Sequence, residues 1–230
     1  MDCFALNPAP KGRLVYCSYS STGMAGLGKD WCELIADVDS VPKVVVCLDY
    51  GNRFDRPEIR AEYPVDDSVV DKLQKELARM KVHELAGYDV DERMTGGHAY
   101  RIYMEYSSGE KINARWYGHD IKEEAVLAYS FIERYFAPWR ERAVTDNLVS
   151  RVREMEERFD RLLKAQKKKK PYDGIEEDYR ILDDYFQSGQ WQMDYEADER
   201  GLIPKDVKRG VLSQDALYDV MSTGIPGSSK

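Results

Sequence analysis

The stretch HAYRIYMEYSSGEKINARWYGH, residues 98–119, constrains the fold of this chain more than any other. Apolar and polar residues alternate on both sides of a Ser-Ser-Gly turn, the period of two that a half-buried pair of strands requires. A two-residue turn at Ser108-Gly109 would set Ile102 against Arg115 and Met104 against Asn113, mixing apolar and polar side chains on each face. A three-residue loop, Ser107 to Gly109 with Gly109 left-handed, sets Tyr100 against Trp116, Ile102 against Ala114, Met104 against Ile112 and Glu105 against Lys111. Each face is then consistent, so this register is expected. It separates His98 from His119, which the other register would place opposite each other as a metal pair. It also brings Arg101 opposite Arg115, beside Tyr103, Asn113 and Tyr117. Facing like charges repel, so neighbouring carboxylates or a bound anion must answer them. Arg101 and Arg115 are therefore anion-binding candidates, with internal neutralisation expected because Asp and Glu outnumber Lys and Arg, 42 to 34.

Around this hairpin, Leu14 to Tyr19 and Val44 to Tyr50 are rich in residues that suit a pleated surface. Asp67 to Lys81 carries Val69, Val70, Leu73, Leu77 and Met80 at helical spacing, and Val126, Tyr129, Ile132, Tyr135 and Phe136 repeat that pattern. Beyond Thr145 no strand pattern remains. Leu148, Val152, Met155, Phe159 and Leu162 form a narrow helical seam, with Thr145 or Asp146 able to cap its start. Ile175, Tyr179, Leu182 and Phe186 form a second stripe, and Ser213 caps a last short helix with Leu212 and Leu217 spaced as a hydrophobic staple. The expectation is an α+β chain in two parts. Residues 1–143 form an antiparallel sheet of about five strands with two packed helices; residues 144–230 form a helical hairpin with a short extra helix.

Composition narrows the function. Apolar and charged fractions of 43% and 33% belong to folding chains, and a formal charge of −8 opposes the phosphate attraction on which nucleic-acid binding depends. The one dense basic run, Lys167 to Lys170, suits a solvated helix C-terminus. Cys3, Cys17, Cys32 and Cys47 stand far apart, without the spacing of a zinc site, and read as reduced thiols. MDCFALNPAP lacks the features of a signal peptide, and no apolar run approaches the roughly 18 residues that span a bilayer. A cytoplasmic address is expected, with no membrane and no nucleic-acid partner.

Gly23, Gly28 and Lys29 reproduce the spacing of a nucleotide-binding phosphate loop. Asp30, however, stands where the loop needs a hydroxyl for magnesium. The stretch from Asp30 to Asp39 is also too short for the usual parallel crossover. Trp31 to Ile35 reads instead as a strand returning from a glycine-rich hairpin.

In YFQSGQWQMDYEADERGLIPKDVKRG, Asp194, Glu196 and Asp198 match the first three ligand positions of a calcium loop, but Glu199 replaces its glycine and Lys205 its bidentate Glu. A polar turn whose acids pair with Lys205, Lys208 or Arg209 is the expected arrangement. Trp191, Asp194, Tyr195 and Asp198 remain candidates for contact with a partner.

Residues Val149 to Val220, through REMEERFD, YFQSGQW, DYEADERGLIPKD and KRGVLSQDALYDV, resemble a small helical domain of unknown function found widely in bacteria. LAGYDV, YRIYMEYSSGEKI and the following helix are similar to uncharacterised proteins of gut bacteria. The resemblance implies a bacterial origin and a helical domain, and brings no catalytic residues with it. No triad, metal cluster or intact cofactor loop stands in the sequence, so no metal and no cofactor is assigned. The expected function is a non-enzymatic cytoplasmic module that binds a protein partner, a description that also fits a toxin-neutralising immunity protein. The alternative is a hydrolase or a nucleotide- or anion-binding enzyme using the Gly23–Lys29 loop or the Arg101/Arg115 pair.

Overall fold

A computed structural model of the chain describes residues 7–23, 29–49, 58–91, 98–118 and 120–226. The chain is α+β and divides into two compact units, Met1–Ala143 and Val144–Lys230.

The first unit is built on β1 (Leu14–Gly23), β2 (Lys29–Ile35), β3 (Lys43–Leu48), β4 (Ile59–Pro64), β5 (Asp89–Asp91), β6 (His98–Tyr106) and β7 (Lys111–Tyr117). They form one sheet in the order β4-β3-β2-β1-β6-β7-β5. Every neighbouring pair is antiparallel except β5 with β7. The hairpin of β6 and β7 has the register expected from its faces, including Met104 opposite Ile112 and Arg101 opposite Arg115. Gly109 closes the turn at φ +87°, a conformation that costs glycine little because it has no Cβ.

The sheet has two strands more than the pattern of apolar residues announces. They are its edges. β4 alternates exposed Arg60 and Glu62 with Ile59, Ala61 and Tyr63, and β5 has three residues, two of them aspartates. Short, charged edge strands resist pairing with other chains, and the same features weaken their signal in the sequence.

One face of the sheet is covered by α1 (Asp67–Arg79) and the first part of α2 (Glu123–Lys168). Val70, Leu73 and Leu77 of α1 and Ala125, Tyr129, Ile132 and Phe136 of α2 pack on Leu14, Tyr19, Leu34, Val46, Ile102 and Trp116. Val126, read from spacing as part of the buried stripe, is 47% exposed, and the stripe runs through Ala125 and Ala128 instead. Alanine at those positions lets the helix backbone approach the sheet. The rings of Tyr100, Trp116 and Tyr129 meet at centroid distances of 4.9 to 6.0 Å.

Helix α2 runs on through residues 143–146, where the sequence suggested a fresh start capped by Thr145 or Asp146. Residues that cap helices are also tolerated inside them when both flanks carry apolar residues at helical spacing, as Ala143 and Leu148 do here. Pro138 lies inside the same helix, where its missing N–H removes one backbone bond.

In the second unit, Leu148, Val152, Phe159 and Leu162 of α2 pack with α3 (Ile175–Gln187), α4 (Gln190–Glu199) and α5 (Gln214–Thr223). Ser213 caps α5 by accepting the N–H of Ala216, and Leu212 and Leu217 are buried on either side of the cap. At the other end of the seam, α2 stops on Lys169, held left-handed at φ +51°. The N–H groups of Lys169 and Lys170 donate to the carbonyls of Gln166 and Ala165 at 3.1 Å, the reverse-turn bonds that commonly end a helix on glycine. Lys169→Gly is expected to stabilise the chain by about 0.5–1 kcal/mol by relieving this conformation. A rise in the urea midpoint at unchanged slope is the readout, and a fall would contradict the assignment.

Candidate functional site

At the glycine-rich connection, Thr22 of β1 faces Lys29 of β2 in an antiparallel pair. A phosphate loop needs a helix after its lysine, to aim backbone N–H groups at the phosphates. Lys29 opens a strand instead, while Gly28 lies outside the described residues. The Lys29 ammonium sits 5.1 Å from the centre of the Trp31 ring. Asp30, on the helix-covered face, accepts from Arg140 of α2 at 3.1 Å, and Arg140 reaches Glu133 at 3.4 Å. Burial raises the pKa of Asp30 against the pull of Arg140. Cys32, fully buried nearby, is pushed up to about 11 by burial, which keeps it a thiol. These groups neutralise and shield one another.

The opposite face of the sheet carries no helix among the described residues, and strand register maps it row by row. One continuous row crosses all seven strands: Arg60, Cys47, Trp31, Ser20, Arg101, Arg115 and Asp89. The next row holds Glu62, Val45, Glu33, Ser18, Tyr103 and Asn113. The third holds Lys43, Ile35, Tyr16, Glu105 and Lys111.

The two arginines singled out by the hairpin register meet different fates on this face. Arg115 is paired with Asp89 at 3.1 Å. Arg101 donates to the Asn113 amide oxygen at 2.9 Å and lies 5.2 Å from the centre of the Tyr103 ring. Neutralisation thus reaches one of the pair, and both are exposed rather than enclosed. His98 begins β6 at one end of the sheet, and His119 lies outside the described residues. Among the described residues, no three His, Cys, Asp or Glu side chains group as metal ligands.

Of the acidic and aromatic candidates in the second unit, two point inward. The Trp191 indole is 6% exposed and donates to the Val211 carbonyl at 2.9 Å. Asp194 is 1% exposed, and both its oxygens accept from Arg151, at 2.7 and 2.9 Å. The stretch from Gln190 to Glu199 is the helix α4 rather than a turn, so Asp194 and Asp198 sit one helical turn apart. Asp198 meets Arg209 at 2.6 Å, as the expected pairing has it, whereas Lys208 is spent on Glu156 and Asp160. Tyr195 stacks on Trp191 at 5.4 Å and reaches solvent.

Two further buried carboxylates stood unmarked in the sequence reading. Asp178 accepts from Arg161, Arg158 and Tyr172 at 2.6 to 2.8 Å, and the Arg161 guanidinium foremost holds its carboxyl down to about 2. Glu156 accepts the Val211 N–H at 2.6 Å. No local signal marked Asp178, which lies on α3 and meets Arg161 and Arg158 of α2 from 17 and 20 residues away.

The row on the open face was also missed as a unit. Arg60 belongs to a strand not recognised as one, and only strand pairing places it in line with Arg101.

Among the described residues, no helix is long and apolar enough to cross a membrane. No curated protein matches the chain. Residues 152–224 match a domain of unknown function, DUF4298, which spans the second part of α2 and the helices packed on it.

Proposed function

We propose that the chain is a non-enzymatic protein-interaction module of the bacterial cytoplasm, with a sheet domain, 1–143, and a helical domain, 144–230. The sheet domain offers to a protein partner the face that carries no helix among the described residues. The observation that carries this reading is the part of that face on β1, β2 and β6, where Tyr16, Trp31 and Tyr103 are only half-buried, in contrast to Val45 and Cys47 of β3, which are buried on the same face. Partly exposed aromatic side chains in a contiguous area mark interaction surfaces more often than they mark stability. The enzymatic alternative draws no support from a lysine that opens a strand or from arginines that stand in the open.

The test is chemical cross-linking of the intact chain in its own cytoplasm. Links from Lys29, Lys43 and Lys111, on the open face, to one stoichiometric partner are expected, with loss of those links in Trp31→Asp. Links spread equally over Lys72 and Lys75 of α1, or unchanged by Trp31→Asp, would defeat the reading.

A further inference from the structure

We infer that the row Arg60–Trp31–Ser20–Arg101–Arg115 is a binding site for an acidic, extended segment of a partner protein; this rests on the interaction reading and names its ligand class. The row concentrates charge in a way the composition conceals. The chain carries a formal −8, yet Arg60, Arg101 and Arg115 lie in this one line, with Lys29 from the row above sitting over Trp31, against Asp89 in the line, Glu58 bonded to the Cys47 thiol, and Asp91 at the far end of the Lys29 row. Among the described residues, Lys29, Arg60 and Arg101 make no ion pair. The acids of the two rows on the other side are already engaged: Glu62 with Lys43 at 2.7 Å, Glu105 with Lys111 at 2.9 Å, and Glu33 with the Tyr16 hydroxyl at 2.5 Å.

The geometry selects among anions. Strands lie about 4.8 Å apart, so Arg60 on β4 and Arg115 on β7, five strands on, stand about 24 Å apart. An extended peptide advancing about 3.3 Å per residue covers that span with about seven residues. Its carboxylates meet Lys29 over the Trp31 ring and Arg101 over the Tyr103 ring, cations that the rings help to hold in place. A single-stranded nucleic acid would need open ring faces for its bases, but Lys29 occupies that of Trp31 and Arg101 that of Tyr103.

Fluorescence anisotropy on the full chain tests this, with a labelled peptide of about ten residues alternating Glu and Thr, its Gln-for-Glu counterpart, and oligothymidylate of similar length. The Glu peptide is expected to bind about tenfold or more tighter than the Gln peptide, to weaken with added salt, and to lose about tenfold in R60Q/R101Q. Arg79→Gln on α1, on the covered side of the sheet, should leave binding unchanged. Equal affinity for the Gln peptide, an unchanged R60Q/R101Q, an equal loss in Arg79→Gln, or tighter binding of oligothymidylate would each overturn the assignment. If the Glu peptide does not bind while the open-face cross-links persist, the acidic ligand falls and the interaction reading stands. If the cross-links are also absent, both fall.

Discussion

Asp194→Ala is expected to lower the unfolding free energy of the intact chain by about 3–5 kcal/mol, the range for removing one partner of a buried, hydrogen-bonded ion pair. Asp194 lies on α4 with a side chain 2% exposed, and Arg151 of α2 reaches it with a side chain 23% exposed. The same carboxylate accepts the Tyr185 hydroxyl at 3.0 Å and the Gln190 amide at 3.1 Å. Alanine removes the acceptor of three donors at once. Among the described residues the guanidinium keeps Asn147, at 2.7 Å, and the buried Tyr185 hydroxyl loses its acceptor. Urea unfolding followed by far-UV circular dichroism measures the loss. The double variant R151M/D194L should lose much less, because no charge is stranded. A cost for Asp194→Ala below about 1 kcal/mol would mean that the pair is solvated and that α4 is held by its apolar contacts alone.

Gly210→Ala is the second large expected effect, a loss of about 1–3 kcal/mol. Its cause is space rather than backbone conformation. A Cβ built on Gly210 falls 2.7 Å from the Glu156 Oε1 atom and 3.3 Å from the Phe159 ring. Glu156 has nowhere easy to go, being 5% exposed, bonded to the Val211 N–H at 2.6 Å and met by Lys208 at 3.0 Å. The added methyl must displace a buried carboxylate from its partners or push the turn at Gly210–Leu212 off the helix. In a Glu156→Ala background the obstruction is gone, so Gly210→Ala should cost less than half as much, and the two changes should be clearly non-additive. Additive losses would show that the crowding is relieved elsewhere.

The contrast between the two units explains how much could be read in advance. The hairpin of β6 and β7 was legible to the residue because a wrong register would turn either Ile102 and Met104 or Ile112 toward water, a penalty written directly into the alternation. The seam of α2 and the cap at Ser213 were legible because helices and caps are local. The start expected at Thr145 or Asp146 failed for the same local reason: capping residues announce a possible helix end without requiring one. β4 and β5 were missed because edge strands bury little and carry charges on purpose.

The candidate site was legible only in fragments. Arg101 and Arg115 came from one hairpin, Lys29 from a glycine pattern, and Trp191 and Asp194 from a conspicuous cluster. Burial then turned Trp191 and Asp194 inward. Asp194 meets Arg151, 43 residues away in the chain, and no periodicity reports a partner at that distance.

From its own residues, then, the chain determined the α+β class, the hairpin register, most of the apolar faces and the cap at Ser213, because each depends on neighbours a few positions away. Tertiary structure alone decided which charges from distant elements meet: it lined up Arg60, Trp31 and Arg101 from three separate strands and gave Asp178 and Asp194 their arginines. Coulomb and hydrogen-bond energies depend on distance in space, and two residues far apart in sequence acquire that distance only when the sheet and helices have closed.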